Sequence, residues 1–179
     1  LKAIDYYNAA VRIDPHYALA YATMSGGWAV LAGDAVGANV QQDYAKAREA
    51  ADKALELEPD LAFAHLARGY VLYSADFDWS GAQAEYQKAL QLAPNDGSAK
   101  ALLAGLLATL GQTERAIDLT KEALLDDPMN GYAYGLLSGY YERLGRLDEA
   151  ERAIRTKKSL GSQVDIDTAF AVETRYFVE

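Results

Sequence analysis

Small apolar residues recur seven apart along this chain, and each pair stands at a fixed distance before a proline. Ala3 and Ala10 precede Pro15, Ala47 and Ala54 precede Pro59, Ala82 and Ala89 precede Pro94, and Ala116 and Ala123 precede Pro128. The offsets are twelve and five residues every time. Seven residues is close to two helical turns, so both alanines fall on nearly one face. Small side chains there let a partner helix approach closely. The proline then closes the helix, because it has no N–H to donate and disfavours helix in the residue before it. The prolines stand 44, 35 and 34 residues apart. A period near 34 with fixed small residues predicts an array of helix–turn–helix repeats.

The pattern predicts a lone second helix over 2–13 and helix–turn–helix pairs over 17–58, 61–93, 96–127 and 130–160. A last helix is predicted over 165–178, with Ile166, Ala169, Phe170, Val172 and Phe177 on its apolar side. Gly111 and Gly145 each follow a leucine at a predicted helix end, where a left-handed residue stops the helix cheaply. The 44-residue gap is ten longer than the repeat, and the extra length falls between Trp28 and Ala47, as an enlarged inter-helix turn that includes "AGDAVGANVQQDY". One domain over 1–179 is expected, with about four full repeats and a half repeat at each end. The half repeats suggest a piece of a longer polypeptide. Their exposed edges, Tyr6, Tyr7, Val11 or Ile13 at one end and Phe170 and Phe177 at the other, make self-association through the helical ends an expected property.

The segments "ADKALELEP", "YQKALQLAP", "TKEALLDDP", "LGQTERAI" and "LGRLDEAE" together resemble the tetratricopeptide repeat. The resemblance covers roughly residues 1 to 161. It implies an all-α fold, a right-handed superhelical solenoid of antiparallel helix–turn–helix repeats, and a role in binding other proteins. The "FDW" turn and "PND" linker are also similar to repeat arrays appended to bacterial regulators such as nucleotide cyclases and winged-helix transcription factors.

Composition narrows the partners. The chain has 17 Lys and Arg against 26 Asp and Glu, a net charge of −9, with no basic stripe for neutralising phosphates, so nucleic acid is not an expected partner. Cysteine is absent, which removes disulfides, thiolate zinc sites and thiol nucleophiles. No run of 18 apolar residues predicts a membrane span, and the cytoplasm is the expected compartment. His16 and His65 are the only histidines: His16 is expected to be solvated in a turn, and His65 to be packed in the core. In "DFDW", Asp78 is expected to cap the next helix, with Phe77 or Trp79 packing beside it. Arg68 stands where the resemblance implies a buried leucine, so either its helix rotates or the guanidinium finds a carboxylate. With no phosphate loop and no metal-ligand spacing, no enzyme activity, metal or cofactor is expected.

In arrays of the family the first helix of each repeat lines the concave face. Offsets from the prolines then place Phe63, Leu66, Tyr70, Tyr73 and Ser74 there, followed by Ser98, Ala101, Gly105, Ala108 and Thr109, and by Tyr132, Gly135, Gly139, Glu142 and Arg143. The first repeat offers Leu19, Ala22, Gly26, Ala29 and Val30. Family members that clamp the acidic tails of chaperones use lysine, asparagine and arginine, and that clamp is missing here. An apolar, tyrosine-rich groove instead suits an extended or helical segment of a protein partner, with Phe63, Leu66, Tyr70, Tyr73, Thr109, Tyr132, Glu142 and Arg143 as the contact residues. Two other readings stand beside it. One is a regulatory segment of a multidomain signalling protein. The other is a small-ligand or peptide sensor using the cleft near the inserted stretch.

Overall fold

A computed structural model describes residues 2–33 and 39–160. The predicted helix over 165–178, with Phe170 and Phe177, lies outside the described residues. The chain packs as two compact units, Leu1–Pro94 and Asn95–Glu179. Every regular element among the described residues is helical.

The first unit contains α1 (Lys2–Ile13), α2 (Ala18–Gly33), α3 (Val40–Leu57), α4 (Ala62–Val71), a π-helical turn (Leu72–Asp76) and α5 (Trp79–Leu92). Helices adjacent in the chain pack on one another, and α4 packs also against α2. The alanine frame forms the contact surface: Ala47, Ala54, Ala82 and Ala89 are fully buried. One cluster joins Ala22, Ala51, Ala54, Ala64 and Ala67, flanked by Tyr21, Leu55, Leu61 and Phe63. A second joins Ala29, Ala47 and Val71, flanked by Trp28, Tyr44, Tyr70 and Ala75. The first copy departs from the frame, since Ala3 is exposed and Ala10 only half-buried, and Tyr6 and Ile13 stand well exposed beside them.

Most of the ten extra residues go into helix and not into an enlarged turn. Helices α2 and α3 have 16 and 18 residues where α6 and α7 have 13 and 14, so seven of the ten lengthen helices. The stretch added to α2 carries Leu31, which is half-buried, and Ala32, which is buried, so it extends the apolar contact of the hairpin.

A second departure lies between α4 and α5. The π turn widens the end of α4, and Phe77 follows in the left-handed region at φ 54°. Asp78 then caps α5 as expected, accepting from the Gly81 N–H at 2.9 Å. Phe77 and Trp79 do not pack: they are 71% and 41% exposed. The left-handed step at Phe77 turns the chain so that its ring faces solvent.

The second unit contains α6 (Gly97–Thr109), α7 (Thr113–Asp126), α8 (Gly131–Arg143) and α9 (Leu147–Ser159). Asp96 caps α6 through the N–H groups of Ser98 and Ala99, and Asn130 caps α8 through that of Ala133. Gly111 and Gly145 have φ of 79° and 72° and close α6 and α8. The following N–H groups, of Gln112 and Arg146, reach back to the carbonyls of Leu107 and Tyr141. Ala116 and Ala123 are buried, as the frame requires.

Candidate functional site

The aromatic side chains expected at a binding face sit on α4 and its π turn. Phe63, Tyr70 and Tyr73 are half-buried. Leu66 is not with them. It is 1% exposed and closed off inside the first unit, so no partner reaches its side chain. It stands one turn before Tyr70, but on the inward edge of the helix. Ala22, Gly26 and Ala29 on α2 and Ala108 on α6 are likewise buried and offer no contact surface. In the second unit Thr109, Glu142 and Arg143 are exposed and Tyr132 is half-buried. The Arg143 guanidinium donates to the Ala108 carbonyl at 2.6 Å, which ties the end of α8 to α6.

Behind Tyr70 and Tyr73 lies Tyr86 of α5, 1% exposed. Burial pushes its phenol well above the ordinary range, and the neighbouring hydroxyls of Tyr70 and Tyr73 add to the effect. The surface tyrosines therefore rest on a buried aromatic floor.

The polar residues singled out in the sequence have structural partners. His65 is buried, with Nδ1 2.6 Å from Glu85 Oε2 and Nε2 2.8 Å from the Pro59 carbonyl. His16 is exposed in the turn after Pro15. The Arg68 guanidinium finds a carboxylate, pairing with Asp52 of α3. Lys100, which sequence reasoning left aside, is buried with its ammonium 2.5 Å from Asp126 Oδ2. Among the described residues no group of three or more His, Asp or Glu side chains is arranged to hold a metal ion, and no helix is long and apolar enough to cross a membrane.

A groove of about 820 Å³ opens along the first hairpin, and none of the eight expected contact residues lines it. Asn8 of α1 closes one edge. Tyr21, Met24 and Trp28 of α2 give it an apolar side, and α3 gives it a charged side from Ala45 to Glu56. The Lys46 ammonium lies 3.8 Å from the centroid of the Trp28 ring. The position three residues apart of Tyr21 and Met24, and four of Met24 and Trp28, is the only trace of this side in the sequence.

Residues 73–140 match the family model of the tetratricopeptide repeat. No curated protein sequence matches the chain. Solved structures do. MamA is 19% identical over 89% of this chain and 87% of that one, with a TM-score of 0.64. TTC0263, a thermophilic TPR protein of Thermus thermophilus, is 22% identical over 79% of this chain and 71% of its own, with a TM-score of 0.66. YrrB, a TPR protein with an unusual peptide-binding site, is 19% identical over 98% of this chain and 82% of its own, with a TM-score of 0.60. These likenesses establish an all-helical repeat fold.

Proposed function

We propose that this tetratricopeptide-repeat chain is a non-catalytic interaction module that takes up an extended or helical segment of a protein partner. The observation that carries the reading is the presence of three half-buried aromatic residues, Phe63, Tyr70 and Tyr73, on one short stretch of the first unit. Aromatic rings supply large contact area with few rotatable bonds, which suits them to anchoring a peptide. YrrB, which shares the fold, has a peptide-binding site, and this supports the same class of ligand here.

The test starts from peptides selected on the whole chain from a display library. Affinities are then measured for the parent and for a Tyr70→Ala, Tyr73→Ala variant. Each true anchor is expected to cost about 2 kcal/mol of binding. A variant that keeps its helical circular dichroism and binds the selected peptides as tightly as the parent removes the proposal.

A further inference from the structure

The groove along α1, α2 and α3 is explained by comparing its residues with those one repeat later. Tyr21 and His65 each stand six residues after a proline, Met24 and Arg68 nine after, and Asn8 and Asp52 seven before. In the later repeat, Arg68 of α4 pairs with Asp52 of α3, and His65 reaches Glu85 of α5. Polar bridges thus cross from α4 to both neighbouring helices. The earlier repeat has Met24 and Asn8 at the matching positions, which form no ion pair, and the space beside them is left open.

The charges around that space are unequal in availability. Lys46 is held by Asp43 at 3.1 Å, Arg48 by Asp76, and Lys53 by Glu56 at 2.9 Å. Asp52 is held by Arg68. Among the described residues, Glu49 is the one charged side chain of the groove without an ion-pair partner. The uncompensated charge is therefore negative. It shares the groove with a thioether and two aromatic rings, one of which already carries an ammonium on its face. Aromatic faces and carboxylates both favour cations, and the net charge of −9 attracts them from a distance.

We infer that this groove is a docking surface, separate from the α4 aromatics, for a basic amphipathic segment of a partner protein. Apolar side chains of the segment lie against Tyr21, Met24 and Trp28, and its lysines or arginines lie against Glu49. Charge selects the sign of the partner, and the apolar side holds it.

The test uses the whole chain and two synthetic helical peptides with one shared leucine–tryptophan face, one flanked by lysine and arginine and the other by glutamate. Fluorescence anisotropy is expected to show the basic peptide binding at least about tenfold more tightly, with the preference shrinking as salt rises. Glu49→Lys, at an exposed position, should weaken the basic peptide about three- to fivefold. Ala45→Trp, on the exposed rim, should fill the groove and abolish binding. Tyr73→Ala should leave it unchanged. Equal binding of both peptides, indifference to the two groove variants, or loss through the tyrosine variant alone would overturn the assignment. So would a concentration-dependent rise in mass with no peptide binding, which would make the occupant a second copy of the chain.

Discussion

Gly69 lies directly against the ring of Tyr86. A Cβ built on it stands 2.5 Å from Tyr86 Cε1 and 2.7 Å from Cδ1, closer than real Cβ contacts come. Tyr86 is 1% exposed, so its ring has no room to retreat. Helices α4 and α5 meet at this point because one side supplies a bare backbone and the other a flat ring. Gly69→Ala is therefore expected to destabilise the chain by about 1–3 kcal/mol, the range of core overpacking. Denaturant unfolding monitored by circular dichroism checks it, and a variant of unchanged stability would show that the ring shifts freely.

The same tyrosine gives a pH dependence. Its hydroxyl is held above the ordinary phenol value, chiefly by burial and further by Tyr70 and Tyr73. Around pH 10 the unfolded chain loses this proton while the folded chain keeps it. The unfolded state then binds fewer protons, so stability falls as pH rises above about 10 and is independent of this group well below that. Unfolding free energies measured from about pH 9 to 11 should decline more steeply for the parent than for Tyr86→Phe. Equal slopes would exclude Tyr86 as the source.

Arg68 occupies a position that holds Met24, Leu103 and Leu137 in the other repeats. Its pair with Asp52 is about one-third to one-half exposed, so solvent screens it. Asp52→Asn is expected to cost less than about 1 kcal/mol. Arg68→Leu should be neutral or stabilising, since it exchanges a screened ion pair for apolar burial. A loss above about 2 kcal/mol in Arg68→Leu would instead mark the pair as a principal tie between α3 and α4.

Phe77 adopts φ 54° with 71% of its surface exposed, so it carries backbone strain without compensating burial. Phe77→Gly is expected to raise stability by up to about 1 kcal/mol. Asp78→Ala, next to it, removes the cap on α5 and should lower stability by about 1 kcal/mol. Thermal unfolding of the two variants side by side should move the midpoint in opposite directions, and a shared direction would show that the turn is held by other contacts.

The repeat frame was legible in the sequence because close helix packing permits only small residues. Ala47, Ala54, Ala82 and Ala116 recur at fixed offsets and are all fully buried. The turns were legible for a similar reason: Gly111 and Gly145 are needed at positive φ, and Asp78 offers a capping oxygen. What the periodicity could not carry was the rotation of individual side chains about a helix. Leu66 and Tyr70 are one turn apart, yet one is sealed and the other half-exposed. The groove beside Trp28 was out of reach because it depends on three helices and on which cations are already paired. The Lys100–Asp126 contact spans 26 residues and follows no local spacing. The π turn at Leu72–Asp76 also shifts the register after α4, which no composition signal marks.

The alanine interior has a consequence for how this chain tolerates change over time. A core of leucines is damaged mainly by truncation, which hollows it. At Ala47, Ala54, Ala82, Ala89 and Ala116 there is almost nothing to truncate, since each side chain is already one methyl group. Nearly every available substitution there is an enlargement, and enlargement in a close-packed interior forces backbones apart. Drift at these sites is thus one-sided: serine and glycine are the near neighbours in size, and anything bulkier must be matched by a shrinking residue on the facing helix. The room for change lies instead on the outward helical faces, where a substitution leaves the spacing between helices intact.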